Sequence, residues 1–389
     1  MRNLKKPIVA IFTDIYLPGV KGGGPIRTIE AIVETLGDRY DFHIFTGDRD
    51  LGDAGPYEFI ARDVWLDRGS YKVIYLSPEK WSLQNLRRLL DLLSPQIIYL
   101  NSFFSSTYSQ KLYLLKLLGR IKGQILMAPR GEFSAGALQL KSLKKNIYLK
   151  LYKIFYRPSL VSWHASTTYE LNDIMRVLPS SRNIFVASDV SLLKITNMIS
   201  ASQNLSEKCV KIVFISRISP KKNLKFAIRS LKNSKFSAIM DVYGPVEDES
   251  YWESCLKEGE NLPKNVQFKY EGALSHDKIR HKFAEYDIFL FPTLGENFGH
   301  VIVESLSSGC LVMTSKNVPW NDLEQDGAGW NLILNEEDFL RELTQYSLLS
   351  VSARDAKRKS AIGYAQAKFD PSVAAEETAV IFNTLIDKG

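Results

Sequence analysis

Glu296 and Glu304 stand with seven residues between them in the stretch 286–334, and the residues around them decide what two carboxylates can do there. Ile288 to Phe291 read as a buried strand, Pro292 to Gly295 as the loop that ends it, and Phe298–Val301 as the start of a helix carrying Val301, Ile302 and Leu306. Gly309 stops that helix, and Cys310 to Met313 open the next strand. The unit is one crossover of a parallel α/β sheet. Glu296 then lies in the loop and Glu304 in the first turns of the helix. A helix start offers unpaired backbone N–H groups and the positive end of its dipole, a site for an anion such as phosphate. Carboxylates only accept hydrogen bonds, so their natural partners beside such an anion are hydroxyls. Sugar hydroxyls on both sides of a diphosphate fit that requirement. Gly295 and Gly299 let the backbone come close to a ligand. Two acids at a helix start serve equally well as solvated charges, so the pattern needs company before it means anything.

Company comes from cations upstream. KIVFIS reads as a strand and a helix starts near Asn223, with Arg217 and Lys222 flanking the loop between them. Two cations at a strand-to-helix corner can clamp a diphosphate without a metal. In the first half, residues 7–14 read as a strand, followed by Gly22, Gly23 and Gly24 and a helix from about Pro25. Arg27 falls in its first turn, within reach of an anion. The loop is not G-x-G-x-x-G, so a dinucleotide fingerprint is missing. Further strands at 72–76, 96–102 and 124 onward place Asn101, Phe103, Arg130 and Gly131 at strand C-terminal ends, where open α/β sheets bind ligands. Strands ending at Gly244 and Gly272 do the same for Tyr270 and Gly272. Asp48-Arg49-Asp50 spells a D-x-D, read here as ordinary loop acids, and no metal site is expected. His164 reads as a satisfied strand residue.

GENFGHVIVESLSSGCLVMTS resembles the E-x7-E segment of retaining GT-B glycosyltransferases of the large group 1 (GT4) family, and VPWNDLEQDGAGW resembles the continuation found in a bacterial polysaccharide-biosynthesis branch of it. The resemblance runs over nearly the whole chain. It implies an α/β fold of the GT-B type, two Rossmann-like parallel-sheet domains facing across a cleft. It implies that Glu296 contacts the donor sugar, that Glu304 holds the nucleotide ribose, and that Arg217 and Lys222 neutralise the leaving diphosphate. Phe298, Gly299 and Val301 would add helix-start backbone, and His300 would touch the sugar or cap the helix. Gly23 and Gly24 match a loop that faces donor phosphates and acceptor. Tyr270 and Gly272 match positions that frame the base. Where members often carry a histidine this chain has Arg130–Gly131, and Arg130 is expected to substitute for it. The donor expected is a nucleoside-diphosphate sugar, UDP-sugar ahead of GDP-sugar, with no cofactor.

Length and charge complete the expectation. The 389 residues suit two domains, one over 1–190 and one over 209–370, with a polar linker at 189–208 and a final helix at about 371–389 packing back on the first. Cys209, Cys255 and Cys310 are scattered, which fits a reducing compartment. The basic start MRNLKKPIVAIFTD has too short an apolar run for a signal peptide, so a cytoplasmic location is expected, with peripheral membrane contact. Residues 1–190 hold 26 Lys and Arg against 17 Asp and Glu, whereas the remainder holds 24 against 26. An anionic partner is therefore expected on the first half: an anionic membrane surface or a lipid-linked or oligosaccharide acceptor, rather than nucleic acid. Residues 137–158 strengthen this, with Leu, Ile and Phe interleaved with lysines as in a membrane-surface helix. The same pattern also suits a helix packing its apolar stripe on the sheet. Two rivals stand beside the transferase: a nucleotide-dependent oxidoreductase, which lacks its fingerprint, and a non-catalytic lipid- or polyanion-binding protein, which leaves Arg217, Lys222, Glu296 and Glu304 unexplained.

Overall fold

The computed structural model describes residues 5–139, 142–192 and 209–388. The chain divides into two compact units, Met1–Leu192 with Pro371–Gly389, and Leu193–Asp370.

The first unit is built on eight strands: β1 (Ile8–Phe12), β2 (Asp41–Gly47), β3 (Trp65–Asp67), β4 (Tyr71–Leu76), β5 (Ile97–Leu100), β6 (Gln124–Met127), β7 (Val161–Ala165) and β8 (Ile184–Val186). Their order is β3-β4-β2-β1-β5-β6-β7-β8, parallel except for the β3–β4 pair. Helices α1 (Gly24–Leu36), α2 (Leu83–Leu93), α3 (Ser109–Leu117), α4 (Ala135–Gln139), α5 (Ser142–Phe155) and α6 (Thr168–Val177) make the crossovers. β1 shows why the strands read as continuous apolar runs. Ala10 and Phe12 feed the core on one face of the sheet, and Val9 and Ile11 the core on the other, so no position faces water. The three-residue edge strand β3 has no such run, and sequence reading passes it over.

The second unit holds β9 (Val210–Ile215), β10 (Ala238–Tyr243), β11 (Val266–Gly272), β12 (Ile288–Phe291), β13 (Leu311–Ser315) and β14 (Gly329–Leu332) in the all-parallel order β11-β10-β9-β12-β13-β14. Its helices are α7 (Leu224–Arg229), α8 (Glu249–Glu260), α9 (His276–Phe283), α10 (His300–Ser307), α11 (Glu336–Ser347) and α12 (Val351–Lys368). Strand order reverses at β9, which has β10 on one side and β12 on the other. Loops after β9 and β12 leave in different directions there and open the crevice in which such sheets bind ligands.

A last helix, α13 (Pro371–Ile386), belongs to the first unit. Phe382 packs edge-on against Tyr40 at 5.2 Å and Tyr99 at 6.0 Å, and the Tyr40 hydroxyl donates to Ala379 O (3.2 Å) and meets Asn383 Oδ1 (2.8 Å). The polar run expected as a linker begins inside this unit, since Asp189, Val190 and Ser191 are buried. The rest of it, 193–208, lies outside the described residues, as do Leu140 and Lys141 of the basic segment.

Candidate active site

In the second unit the strand order brings two predicted residues together across 74 positions. Lys222 ends the short turn after β9, Glu296 sits in the loop after β12, and the ammonium donates to Glu296 Oε1 in a nearly buried ion pair. The pairing follows from β9 lying beside β12. The two loops are also stitched by backbone, Leu294 N to Lys221 O at 2.9 Å, and by Asn223 Nδ2 to Pro292 O at 3.0 Å. Thr293 Oγ1 adds a bond to Glu296 Oε1 at 3.2 Å. Lys222 also lies over the Phe291 ring, 5.3 Å from its centre. Burial pushes the Glu296 carboxyl up, but the charges of Lys222 and Lys221 outweigh it and hold the group below its ordinary range. Glu296 is therefore an anion and Lys222 a cation fixed in place before any ligand arrives.

Arg217 leaves the same strand end and pairs with Glu247, in the loop after β10. That loop presses on the Arg217 turn: a Cβ on Gly244 (φ +136°) would lie 1.9 Å from Ser216 O, so only glycine fits. Tyr270 and Gly272 converge on this glycine, the Tyr270 hydroxyl donating to Gly244 O (2.9 Å) and Gly244 N to Gly272 O (2.9 Å). Both predicted base-framing residues thus shape the Arg217 side of the site, with the Tyr270 ring exposed and tilted against Trp252, ring centres 4.8 Å apart.

α10 begins at His300 behind Gly299, whose φ of +84° turns the chain into the helix and which offers no side-chain cap. The first amides of α10 therefore have no capping side chain beneath them. Phe298 is clamped by Trp320 (5.7 Å), Phe369 (5.7 Å) and His300 (4.9 Å), and Trp320 Nε1 donates to Phe298 O at 2.6 Å. Val301 packs partly buried on the core. Glu304, buried one turn in, lies on the same helix, and its backbone carbonyl accepts from Ser307 and Ser308. Sequence reading missed Trp320 and Phe369, which fix the helix start; Trp320 sits conspicuously in the V-P-W run after β13.

In the first unit the predicted residues fall into a different pattern. Gly23 (φ +67°) precedes α1 and Gly24 opens it, while Arg27 pairs with Glu30 at 2.8 Å. Asp50 holds this glycine loop by accepting from Val20 N (2.8 Å) and Lys21 N. Asp48 accepts from Arg49 at 2.8 Å and Arg62 at 3.4 Å. Both D-x-D acids are thus tied to protein donors. Phe103 is a core residue, packed on Phe133 (4.7 Å) and Tyr152 (4.8 Å).

Arg130, expected to stand in for a histidine, is instead turned inward, with only 6% of its side chain exposed. Its Nε donates to Asn101 Oδ1 (2.8 Å), Nη1 to Ser166 Oγ (3.1 Å) and to Asp189, and Nη2 to Tyr99 Oη (2.6 Å). Four of its donors are consumed, so the side chain expected to substitute for a histidine ties four segments of the first unit together, its own among them. Asn101 is drawn in with it, and its buried amide nitrogen finds no partner among the described residues. Glu170 completes the arrangement by accepting from Gly131 N (2.6 Å) and Ser166 N (2.8 Å).

His164 is buried beside this cluster, bonded to Tyr99 Oη (2.7 Å) and Ala187 O (3.0 Å). Burial, reinforced by Arg130, pushes it down from 6.5 to about 4, so the ring is neutral. A histidine that titrates lower in the folded chain gains a proton on unfolding. Its contribution to stability is full above 6.5 and is lost as pH falls toward 4, amounting to about 3 kcal/mol at about 1.4 kcal/mol per pH unit. Glu132, raised to about 7 by burial against the donors Ser102, Phe103 and Phe104, acts in the opposite sense and loses its contribution as pH rises through 7. The expected result is read as a difference: melting temperature followed from pH 6.5 to 4 falls less steeply in His164→Gln than in the unchanged chain. Equal slopes would contradict a neutral His164.

Comparison with known proteins follows this geometry. Residues 196–359 match the family model for glycosyl transferases group 1. An uncharacterized 41.2 kDa protein in the cps region of Klebsiella pneumoniae is 21% identical over 290 residues, 71% of this chain and 75% of that protein. Anabaena HepE, solved in complex with UDP and glucose, superposes with a TM-score of 0.72 at 14% identity, covering 97% of this chain and 100% of its own. Sucrose-phosphate synthase from Thermosynechococcus elongatus gives 0.77 at 13% identity, with 99% and 100% covered. WaaG, a glycosyltransferase involved in lipopolysaccharide biosynthesis, gives 0.69 at 14% identity, with 96% and 99% covered. At these identities the structures speak for the fold, and the family match falls on the unit that holds Lys222, Glu296 and Glu304. Residues 196–359 thus match the group 1 glycosyl transferases, and the chain is a glycosyltransferase with two parallel-sheet units of the GT-B fold.

Proposed function

We propose that the chain moves a sugar, with retention and without a metal, from a nucleoside-diphosphate sugar to a saccharide acceptor in surface-polysaccharide assembly. The observation that carries this is the buried Lys222–Glu296 pair held one loop away from the uncapped start of α10. A diphosphate at that helix start meets the α10 amides and the Lys222 ammonium, with Arg217 as the second cation. As the bond between the anomeric carbon and the phosphate oxygen breaks, negative charge grows on the leaving nucleoside diphosphate, and these fixed groups stabilise it. Glu304 accepts from the ribose hydroxyls. Glu296 keeps Lys222 oriented and offers its remaining acceptor capacity to the sugar, which it positions. His300 stands at the helix start beside the same sugar. Within the first unit, the loop of Gly23, Gly24 and Arg27 is the candidate contact for the acceptor.

UDP is the favoured donor base, supported by the UDP and glucose bound to HepE. A polysaccharide acceptor, lipid-linked while it grows, is supported by the cps-region relative and by the role of WaaG. The test is donor turnover in excess EDTA with UDP- and GDP-sugars and a panel of saccharide acceptors, followed by proton NMR of the glycosidic linkage formed. The expected result is nucleotide release that EDTA does not suppress and a product with the donor's anomeric configuration. Release only with added divalent metal, or with the opposite configuration, overturns the mechanism.

A further inference from the structure

Strand order reverses in the first unit too, at β1, which has β2 on one side and β5 on the other. Asp14 leaves the end of β1 at that point, where the loops of such a sheet part and open a crevice. Backbone fixes its place. Thr13 N donates to Phe45 O (3.1 Å) and Gly47 N to Asp14 O (3.2 Å). A Cβ on Gly47 would lie 2.8 Å from Asp14 O, so the end of β2 presses directly on the turn. From the other side Ser105, in the loop after β5, donates its hydroxyl to Asp14 Oδ1 at 2.9 Å, and Thr107 adds a second hydroxyl.

The other acids near this end of the sheet are held differently. Asp48 is tied to Arg49 and Arg62, and Asp189 to Arg130. Asp50, Glu132 and Glu170 each accept from two or more backbone amides. Asp14 is exposed, and among the described residues neither a cation nor a backbone amide bonds its carboxylate. The protein crowded around it pushes its carboxyl up, and the two hydroxyls pull it only part of the way back. Glu296, with Lys222 beside it, moves the opposite way. Close by, the Tyr108 hydroxyl is buried with no hydrogen-bond partner among the described residues, and Asp14 is the charge that bears on it most.

We propose that Asp14 binds a hydroxyl of the acceptor's terminal sugar and restricts that sugar to an uncharged one, a neutral hexose rather than a uronic acid. A carboxylate only accepts hydrogen bonds and has about four acceptor positions, so the hydroxyls of Ser105 and Thr107 leave room for a hydroxyl donor from a ligand. With no cation beside it, Asp14 repels a second carboxylate brought into the crevice, which is discrimination by a built-in mismatch. The excess of Lys and Arg over residues 1–190 works against a cationic ligand. This deepens the transfer proposed above and rests on that reading.

The experiment is saturation-transfer NMR titration of the full chain, with and without UDP. The probes are the methyl glycosides of glucose, galactose and mannose, beside those of glucuronic and galacturonic acid. The wild type is expected to bind a neutral glycoside about tenfold more tightly than a uronate, the scale of one uncompensated like charge in a partly dry crevice. Asp14→Asn keeps the size and the Ser105 bond, weakens the neutral glycoside about tenfold and abolishes the preference. Ser105→Ala, which keeps the charge but not its orientation, weakens binding about threefold and retains the preference. Melting temperature certifies both variants as folded. A wild type that binds no neutral glycoside, one that binds uronates equally well, or an Asp14→Asn variant that keeps the preference overturns the inference. Stabilisation of the wild type by UDP is read separately. Its absence overturns the transfer reaction, whereas its presence without an Asp14 effect overturns this inference alone.

Discussion

Replacing Lys222 with alanine should lower sugar transfer about 100- to 1,000-fold, the usual loss when one fixed group aimed at developing charge is removed. It should also destabilise the second unit. Glu296 is buried and its charge is held chiefly by Lys222, so the substitution strands a carboxylate out of water, at a cost of about 3–5 kcal/mol. Lys221, which also lowers the Glu296 carboxyl, offsets part of this. The two effects separate in Lys222→Ala/Glu296→Gln. Removing the stranded charge should recover most of the melting temperature, because a neutral amide can keep the bond from Thr293. Activity should not return, because the cation facing the leaving group is still missing. Turnover and melting curves on the two variants check this. A single variant that loses stability and keeps its rate would make the pair structural.

Replacing Arg130 with alanine should have the largest effect on the first unit. Its guanidinium bridges Asn101, Ser166, Asp189 and Tyr99 out of water. Burial works against its charge, and Asp189 with Tyr99 and Glu170 restores it. Without it Asp189 becomes a buried anion that has lost its guanidinium counter-charge, and a loss of about 3–5 kcal/mol is expected, about 2–4 °C of melting temperature per kcal/mol in a unit of this size. Arg130→Ala/Asp189→Asn should regain part of it. Binding of UDP should survive in the fraction that remains folded, because the donor site lies in the other unit. The opposite outcome, a stable Arg130→Ala variant that binds UDP but does not turn over, would return Arg130 to the reaction, in the place where members of the family often carry a histidine.

The legible part of this fold is the part written in continuous apolar runs. β1, β5, β9 and β12 bury both faces, so their composition announces them and fixes where the ligand-binding loops begin. Lys222 and Glu296 could each be picked out by position in a crossover. Their contact could not, because it depends on β12 lying beside β9 rather than beside β11. The surroundings of Arg130 were hidden for the same reason: its four partners come from three separate segments, and Asp189 stands in a run that is polar enough to pass for a linker. β3 and β14 are too short to show a period. On α5 the period was plain but the orientation was not, since a helix with apolar residues on two sides gives no hint of which one the sheet takes.

The donor site itself is tested most directly by thermal shift of the full chain against UDP, GDP and the other nucleoside diphosphates in EDTA, beside Glu304→Ala. A ligand at 100-fold its Kd stabilises by about 2.7 kcal/mol, a shift of several degrees. UDP should move the second unit's transition in the unchanged chain and fail to move it in Glu304→Ala. A variant that keeps the full shift, or a wild type that responds to no nucleoside diphosphate, would contradict a donor site built on Lys222, Glu296 and Glu304.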